Sequence, residues 1–306
     1  RPLVQMGLQA MRTHPRLALA TLMELAELNP AGLTEAHIGF VLAPRINALG
    51  RLADAKQGVE FLLTCDAAFA RVNAAMLEGL NARRKLLTDQ VFQAAHAQLE
   101  ETPALLRQPA LVLAGSGWHG GVIGIVASRL VERYNRPVVL LSVQGENAAR
   151  GSARSVEGVN ITECIGAAAH LLESFGGHPM AAGLALKAEH IDTFRSILNQ
   201  AVMDQWGAER AEAALEIDVF TSLDALSVEL ADSLQKLAPF GPGNPAPVLA
   251  VEGVRIHNTA KLGRGGEHLQ VIVEDRNNHS QKVLWWQGAG MDLPPGWFDL
   301  AFTLRA

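Results

Sequence analysis

From about Asp66 to Glu101 the apolar positions Phe69, Val72, Met76, Leu80, Leu87, Val91 and Leu99 recur at steps of three, four, seven and eight. That spacing predicts one stripe of a long α-helix. Thr102-Pro103 ends it, because the residue before a proline avoids the helical region. Arg83, Arg84 and Lys85 on the same helix read as a solvated face, the ordinary fate of a charge run. Residues 1–60 also read as helical, with loop signals at Asn29-Pro30 and Ala43-Pro44.

An α/β pattern follows. The apolar run Ala110–Ala114 predicts a buried strand, Gly115–Gly121 a glycine-rich turn, and Val122–Tyr134 a helix. Asn135 stands where a helix C-cap belongs, Pro137 follows it, and Pro137–Leu141 is a second buried strand. Strand, helix and strand in this order imply a parallel pair with a right-handed crossover. Asn160 and Glu163 form a capping-box-like pair for a helix from Ile161 to about Ser174, stopped by Gly176-Gly177. Met180–Leu186 then reads as a strand of small residues and Glu189–Trp206 as a helix.

The character changes again at about Ala208–Ala213. Val228–Leu237 is a short helix, and Pro239–Pro245 is a turn cluster that no helix or central strand could contain. Val248–Ile256, Leu269–Glu274, Gln281–Trp286 and Phe298–Leu304 read as short strands of a small barrel or sheet. No internal repeat or low-complexity tract is present.

At 306 residues the chain is long enough for two domains, or two and a fragment; 49% hydrophobic and 19% charged residues fit a folded soluble protein, and no apolar run approaches the roughly 20 residues of a membrane span. Cys65 and Cys164 are far apart and lack metal-site spacing, which makes a reducing cytoplasm the expected compartment. The start, Arg1-Pro2-Leu3-Val4, reads as a chain entered in the middle. Net charge is -5, unevenly spread: residues 1–160 hold 16 Lys/Arg and 13 Asp/Glu, a net of +3, and the remainder is at -8. This permits a basic groove in the first half, since binding follows local rather than total charge.

Four stretches carry candidate chemistry. Gly115–Gly124 is a glycine-rich turn entering a helix, able to offer backbone N–H groups to an anion, with His119 inside it. In Arg150-Gly-Ser-Ala-Arg-Ser155, Arg150, Ser152 and Arg154 alternate, so on a strand they share one face and suit phosphate. The plainer reading is an exposed strand with surface arginines. Phe175-Gly-Gly-His-Pro-Met-Ala-Ala-Gly183 places Gly176, Gly177 and His178 beside small residues that let another backbone approach. In Ala43–Arg51, residues Arg45, Asn47 and Arg51 alternate with apolar ones, facing one groove or else forming a salt-bridged turn between helices.

Taken in order, PRINALGRL, GWHGGVIGIVASRL, GSARS, FGGHPMAAGL and LAPFGPGNPAPVL resemble the RecJ-type exonucleases of the DHH phosphoesterase superfamily, nearly throughout to about Leu249 and more loosely beyond. The resemblance implies an α/β chain in which residues 1–60 are the tail of a DHH catalytic domain and 61–106 the connecting helix. Residues 107–207 are then the DHH-associated C-terminal α/β domain, and 213–306 a small OB-type β-barrel, incomplete where the chain ends in its last strand. Its groove and the platforms Trp285, Trp286, Trp297 and Phe298 would hold single strands, with at least half of these four serving as core.

By the same resemblance Ser152, Arg154 and His178 face the nucleic acid or the scissile phosphate, Arg45 and Arg51 line the cleft, and His119 flanks it. The candidate set is thus His178 and His119 at catalytic positions, with Arg45, Asn47, Arg51, Arg150, Ser152, Arg154, Gly176 and Gly177 on phosphate. The implied activity is 5′-to-3′ exonucleolysis of single-stranded DNA in repair and recombination. Single-stranded DNA is the implied partner, with single-strand-binding protein or other repair proteins beside it. Mn²⁺ or Mg²⁺ is the implied cofactor, held by Asp and His residues of the DHH domain. No Asp-His-His triplet occurs here, so this chain is expected to hold no metal, to bind substrate, and to be inactive alone, its metal ligands lying on an upstream segment. Two alternatives remain: a phosphodiesterase for oligoribonucleotides or cyclic dinucleotides, and a non-catalytic single-strand-binding module.

Overall fold

Asp66 caps the long helix: its carboxylate accepts from the Ala68 and Phe69 amides at 2.7 and 3.1 Å, a cap worth about 1 kcal/mol. The computed structural model describes residues 1–145, 147–206, 214–263 and 265–305, and the change of character read at Ala208–Ala213 falls outside them. Two compact units result, Leu8–Ala213 and Ala214–Ala306 with Arg1–Gly7.

Helix α1 (Pro2–Thr13) is divided between the units after Gly7, and the unit Leu8–Ala213 continues with helices α2 (Leu17–Leu25), the single turn α3 (Glu35–His37), α4 (Ala43–Leu52), α5 (Lys56–Leu63) and α6 (Ala67–Glu101). A π-turn, Ile38–Leu42, joins α3 to α4 without a break. The loop expected at Ala43-Pro44 is therefore absent. Pro44 sits in the first turn of α4 directly after the π-turn, where the Ala43 amide bonds back to the Ile38 carbonyl and the wider turn accommodates a residue without an N–H. On α6 the buried line runs through Ala70, Ala74, Leu77, Asn81, Thr88, Val91, Phe92, Ala95 and Leu99. The stripe expected from the larger residues is displaced in its first half, where Phe69 and Val72 face outward. Alanines make the contact instead, because neighbouring helices pack closely there.

The sheet consists of β1 (Leu111–Ser116), β2 (Val138–Gln144), β3 (Ala148–Arg154), β4 (Leu172–His178) and β5 (Ala181–Lys187), in the order β1-β2-β3-β5-β4. Only β1 and β2 are parallel, joined through α7 (Gly120–Tyr134) as the pattern predicts. Asn135 ends α7 in the left-handed conformation, φ 46°. One face of the sheet packs on α8 (Ile161–Gly166) and α9 (Ile191–Trp206), burying Ala153, Leu184, Ile165 and Phe194. The other packs on α7 and the end of α6, burying Leu111, Leu140, Val126 and Leu99.

The helix expected to run to Ser174 stops at Gly166, and Leu172–His178 is an edge strand paired with β5. Gly176 and Gly177 are thus ladder residues, not a helix stop.

The second unit holds β6 (Val219–Phe220), α10 (Val228–Gln235), β7 (Leu249–Leu262), β8 (His268–Glu274), β9 (Ser280–Trp285) and β10 (Trp297–Phe302). β7 is shared: its first half pairs with β10 and β6, its second half with β8. A register shift lies within each of the β10 and β8 pairings, and such irregularities increase local twist. The sheet is a curled half-barrel over Leu223, Val251, Val254, Leu269, Val271 and Val273.

Candidate nucleic-acid interface

Four elements converge on the start of α7. His119 is its N-cap, Nδ1 accepting from the Gly121 amide at 3.1 Å. That bond leaves the ring proton on Nε2, on an exposed imidazole. The preceding turn is fixed from below. Ser142, buried on β2, donates to the Trp118 carbonyl at 2.6 Å, and the Trp118 ring covers Gly115 so closely that a Cβ there would lie 2.1 Å from it.

Beside this turn is the C-terminal end of α4. Arg51 Nη1 donates to the Gly121 carbonyl at 3.1 Å, and the Arg51 carbonyl stands 2.2 Å from where a Cβ on Gly121 would be. One turn along α7, a Cβ on Gly124 would lie 2.9 Å from both Arg154 Nη2 and Ser152 Oγ. Gly121 and Gly124 thus admit Arg51 from one side and the β3 pair from the other. Arg154 Nη1 donates to Ser152 Oγ at 3.1 Å and to the Ala153 carbonyl at 2.7 Å.

The strand register extends this face. Ser152 pairs with Gly183 and Gly183 with Gly176; Arg154 pairs with Ala181 and Ala181 with His178. Side chains alternate along a strand, so Ser152, Arg154, Gly183, Ala181, Gly176 and His178 all lie on one face. A Cβ on Gly176 would meet nothing within 4 Å, so the glycines leave an open floor between the Arg154–Ser152 pair and His178. Gly177 points to the other side, where a Cβ would lie 2.3 Å from the Ala181 carbonyl, so its role is packing. Arg150 shares the Ser152 face and is exposed.

Arg84 on α6 completes the surroundings. It is half-buried, and burial, then the charge of Arg51, lower its pKa from the ordinary value. Burial and then Arg51 do the same to Arg154. Among the described residues none of Arg51, Arg84 and Arg154 is ion-paired with a carboxylate. The sequence pattern puts Arg84 on a solvated face. The polar break it forms with Asn81 and Thr88 in an otherwise apolar buried stripe was the available signal.

Arg45, Asn47 and Arg51 do not all share one face, because this stretch is helix. Arg45 and Asn47, two apart, are turned by about 200° from each other, while Asn47 and Arg51, four apart, stay on one side. Arg45 instead holds Glu78 at 2.5 Å and the Val41 carbonyl at 2.8 Å, tying α4 to α6. Asn47 is exposed.

In the second unit Trp285 and Phe298 pack against the core, while Trp286 and Trp297 are 68% and 44% exposed. The guanidiniums of Arg255 and Arg276 lie 5.4 and 5.3 Å from the Trp297 ring centroid, a cation-flanked aromatic surface.

Family models match two stretches in turn: a DHHA1 domain over residues 107–204 and a RecJ OB domain over residues 217–306. The single-stranded-DNA-specific exonuclease RecJ of Bacillus subtilis (strain 168) is 36% identical over 282 residues, covering 92% of this chain and 35% of that protein. RecJ from Thermus thermophilus, crystallised in complex with Mg²⁺, is 30% identical with a TM-score of 0.78, covering 99% of this chain and 45% of its own. Its complex with Mn²⁺ gives a TM-score of 0.77 at 30% identity, over 98% and 42% of the two chains. The chain therefore spans about a third to a half of the length of these relatives. With a DHHA1 domain followed by a RecJ OB domain, and with this likeness along nearly its whole length, the chain belongs to the RecJ family of the DHH phosphoesterase superfamily.

Proposed function

We propose that this protein is a single-stranded-DNA-specific exonuclease working from the 5′ end, and that the cluster at the start of α7 grips the phosphates of the strand. The observation that carries this is the pair Arg51 and Arg154, half-buried and, among the described residues, without carboxylate partners on either side of a glycine-lined helix N-terminus. Guanidinium forks match phosphate oxygens bidentately, and the helix dipole adds to their attraction. The names of the relatives, single-stranded-DNA-specific exonucleases, support the substrate class. A RecJ OB domain over residues 217–306 favours long strands over dinucleotides.

The Thermus relative was crystallised with Mg²⁺ and with Mn²⁺. Among the described residues no group of three or more His, Cys, Asp or Glu is placed to hold a metal ion. The site is built of guanidiniums, a hydroxyl and two imidazoles, a set that attracts anions and disfavours a divalent cation. The residues here do not fit a metal centre, and no hydrolytic step is assigned to them. Their part is to hold and orient the strand. Arg51 and Arg154 neutralise phosphate, Ser152 and the α7 amides supply neutral donors, and His178 and His119 Nε2 reach the strand from the two rims.

The test is digestion of single-stranded DNA labelled at one end or the other by the full-length protein with Mn²⁺. Early release of the 5′ label, with duplex left intact, is expected. Early release of the 3′ label overturns the polarity, and equal loss of duplex overturns the substrate.

A further inference from the structure

We propose that Arg84 is a third strand-binding guanidinium of the α7 cluster, and that the buried Asn81 is the residue that positions it. This rests on the phosphate-binding reading above.

Helix α6 crosses two apolar clusters. Ala74 and Leu77 belong to one, Val91, Phe92, Ala95 and Leu99 to the other. Between them its buried line turns polar at Asn81 and Thr88, with Arg84 three residues from one and four from the other. That spacing puts all three on one side of the helix. Asn81 is 1% exposed, and among the described residues its Nδ2 has no hydrogen-bond partner. An apolar residue would avoid that unpaired amide. What Asn81 adds is its Oδ1, which accepts from Arg84 Nε at 3.2 Å and Nη2 at 3.0 Å.

A bond to both nitrogens of one edge fixes the plane of the guanidinium without consuming its charge. The neighbouring carboxylate that could neutralise it, Asp89, is held by Arg129 at 3.4 Å, and Arg129 is itself stacked 3.8 Å above the Phe92 ring. Arg51 affects Arg84 more strongly than Asp89 does. Arg84 therefore joins a cluster of like charges and is held there by a neutral group. A structural arginine would be expected to have a carboxylate; this one is arranged to keep its charge for an anion. A charge run on a solvated face has no reason to include a buried asparagine.

The experiment is binding of a fluorescent oligothymidylate to the full-length protein in EDTA, titrated with salt. Removing one phosphate-binding cation lowers the slope of log affinity against log salt by about 0.7 for a single strand. Arg84→Gln is expected to lower the slope by about that amount and to weaken binding roughly tenfold at low salt. Asn81→Asp keeps the shape and pairs with Arg84, so it should lower the slope likewise while the melting temperature holds. Asn81→Leu should weaken binding with Arg84 intact.

Arg154→Gln, measured in parallel, separates the two readings. If Arg154→Gln lowers the slope and neither Arg84→Gln nor Asn81→Asp does, this inference is wrong and the site stands. If none of them changes it, the site itself is wrong. A fall in melting temperature with an unchanged slope makes Arg84 a structural residue and also overturns the inference.

Discussion

Arg51 and Gly121 interlock: the Arg51 guanidinium donates to the Gly121 carbonyl at 3.1 Å, and the Arg51 carbonyl occupies the space 2.2 Å from where a Gly121 Cβ would stand. Both obstructing atoms nearest that Cβ, at 2.2 and 3.0 Å, are backbone, so neither can swing away. Gly121→Ala should destabilise the protein by about 1–3 kcal/mol, the usual cost of overpacking. A lower melting temperature checks this, and an unchanged one would show that α4 and α7 are not locked together.

Gly124→Ala should behave differently. Its Cβ meets side-chain atoms, Arg154 Nη2 and Ser152 Oγ at 2.9 Å, which can shift. Alanine also favours a helix interior over glycine by roughly 0.5–1 kcal/mol. Little stability should be lost while single-strand binding weakens several-fold. Parallel losses of stability and binding would mean that Arg154 and Ser152 act in packing.

Arg45 offers the converse case. Its pair with Glu78 joins α4 to α6, with the Arg45 side chain 14% exposed. Arg45→Gln should lower stability by about 1.5–3 kcal/mol, the range for hydrogen bonds to charged groups, and leave strand affinity unchanged. A weakened affinity in a protein of unchanged stability would return Arg45 to the site.

Cys164 sets a pH dependence. Burial first, then the charge of Glu163, push its thiol up to about 11 from 9.0. Above pH 9 the unfolded chain sheds a proton that the folded chain keeps until about pH 11. The folded state binds more protons over that window, so stability falls as pH rises through it. Cys164→Ala should flatten that decline in denaturant titrations at about pH 9 and about pH 10.5, the two sides of that window. Near neutral pH a thiol reagent should modify the exposed Cys65 and spare Cys164 in the folded protein; equal reaction at both would contradict its burial.

The unit β1–α7–β2 was legible because local signals agree with one another: a short apolar run, a glycine turn, a helical period, Asn135 and Pro137. The strands of the second unit were legible from their punctuation. β4 was not. Asn160 announces a helix, and the alanines after Gly166 do nothing to stop one; pairing with β5 ends it, and that is a long-range contact no local pattern carries. Arg45, Asn47 and Arg51 were placed on one face by an alternation that means nothing on a helix. Ser152 and Arg154 were correctly set on a common strand face, since period two is the strand's own signature. Arg84 was hidden inside a charge run, and the polar break it makes with Asn81 and Thr88 sets it apart from Arg83 and Lys85 only once the buried line of α6 is known.

The measurement that bears most directly on the account is the rate at which the full-length protein degrades single-stranded DNA with Mn²⁺, compared between Arg154→Gln and Arg45→Gln. Removing a charge-assisted bond to phosphate should slow Arg154→Gln by about tenfold or more in kcat/KM, and Arg45→Gln should stay near the parent rate below its melting transition. Arg154→Gln at the parent rate, with Arg45→Gln impaired, would contradict the account and move the strand away from the start of α7.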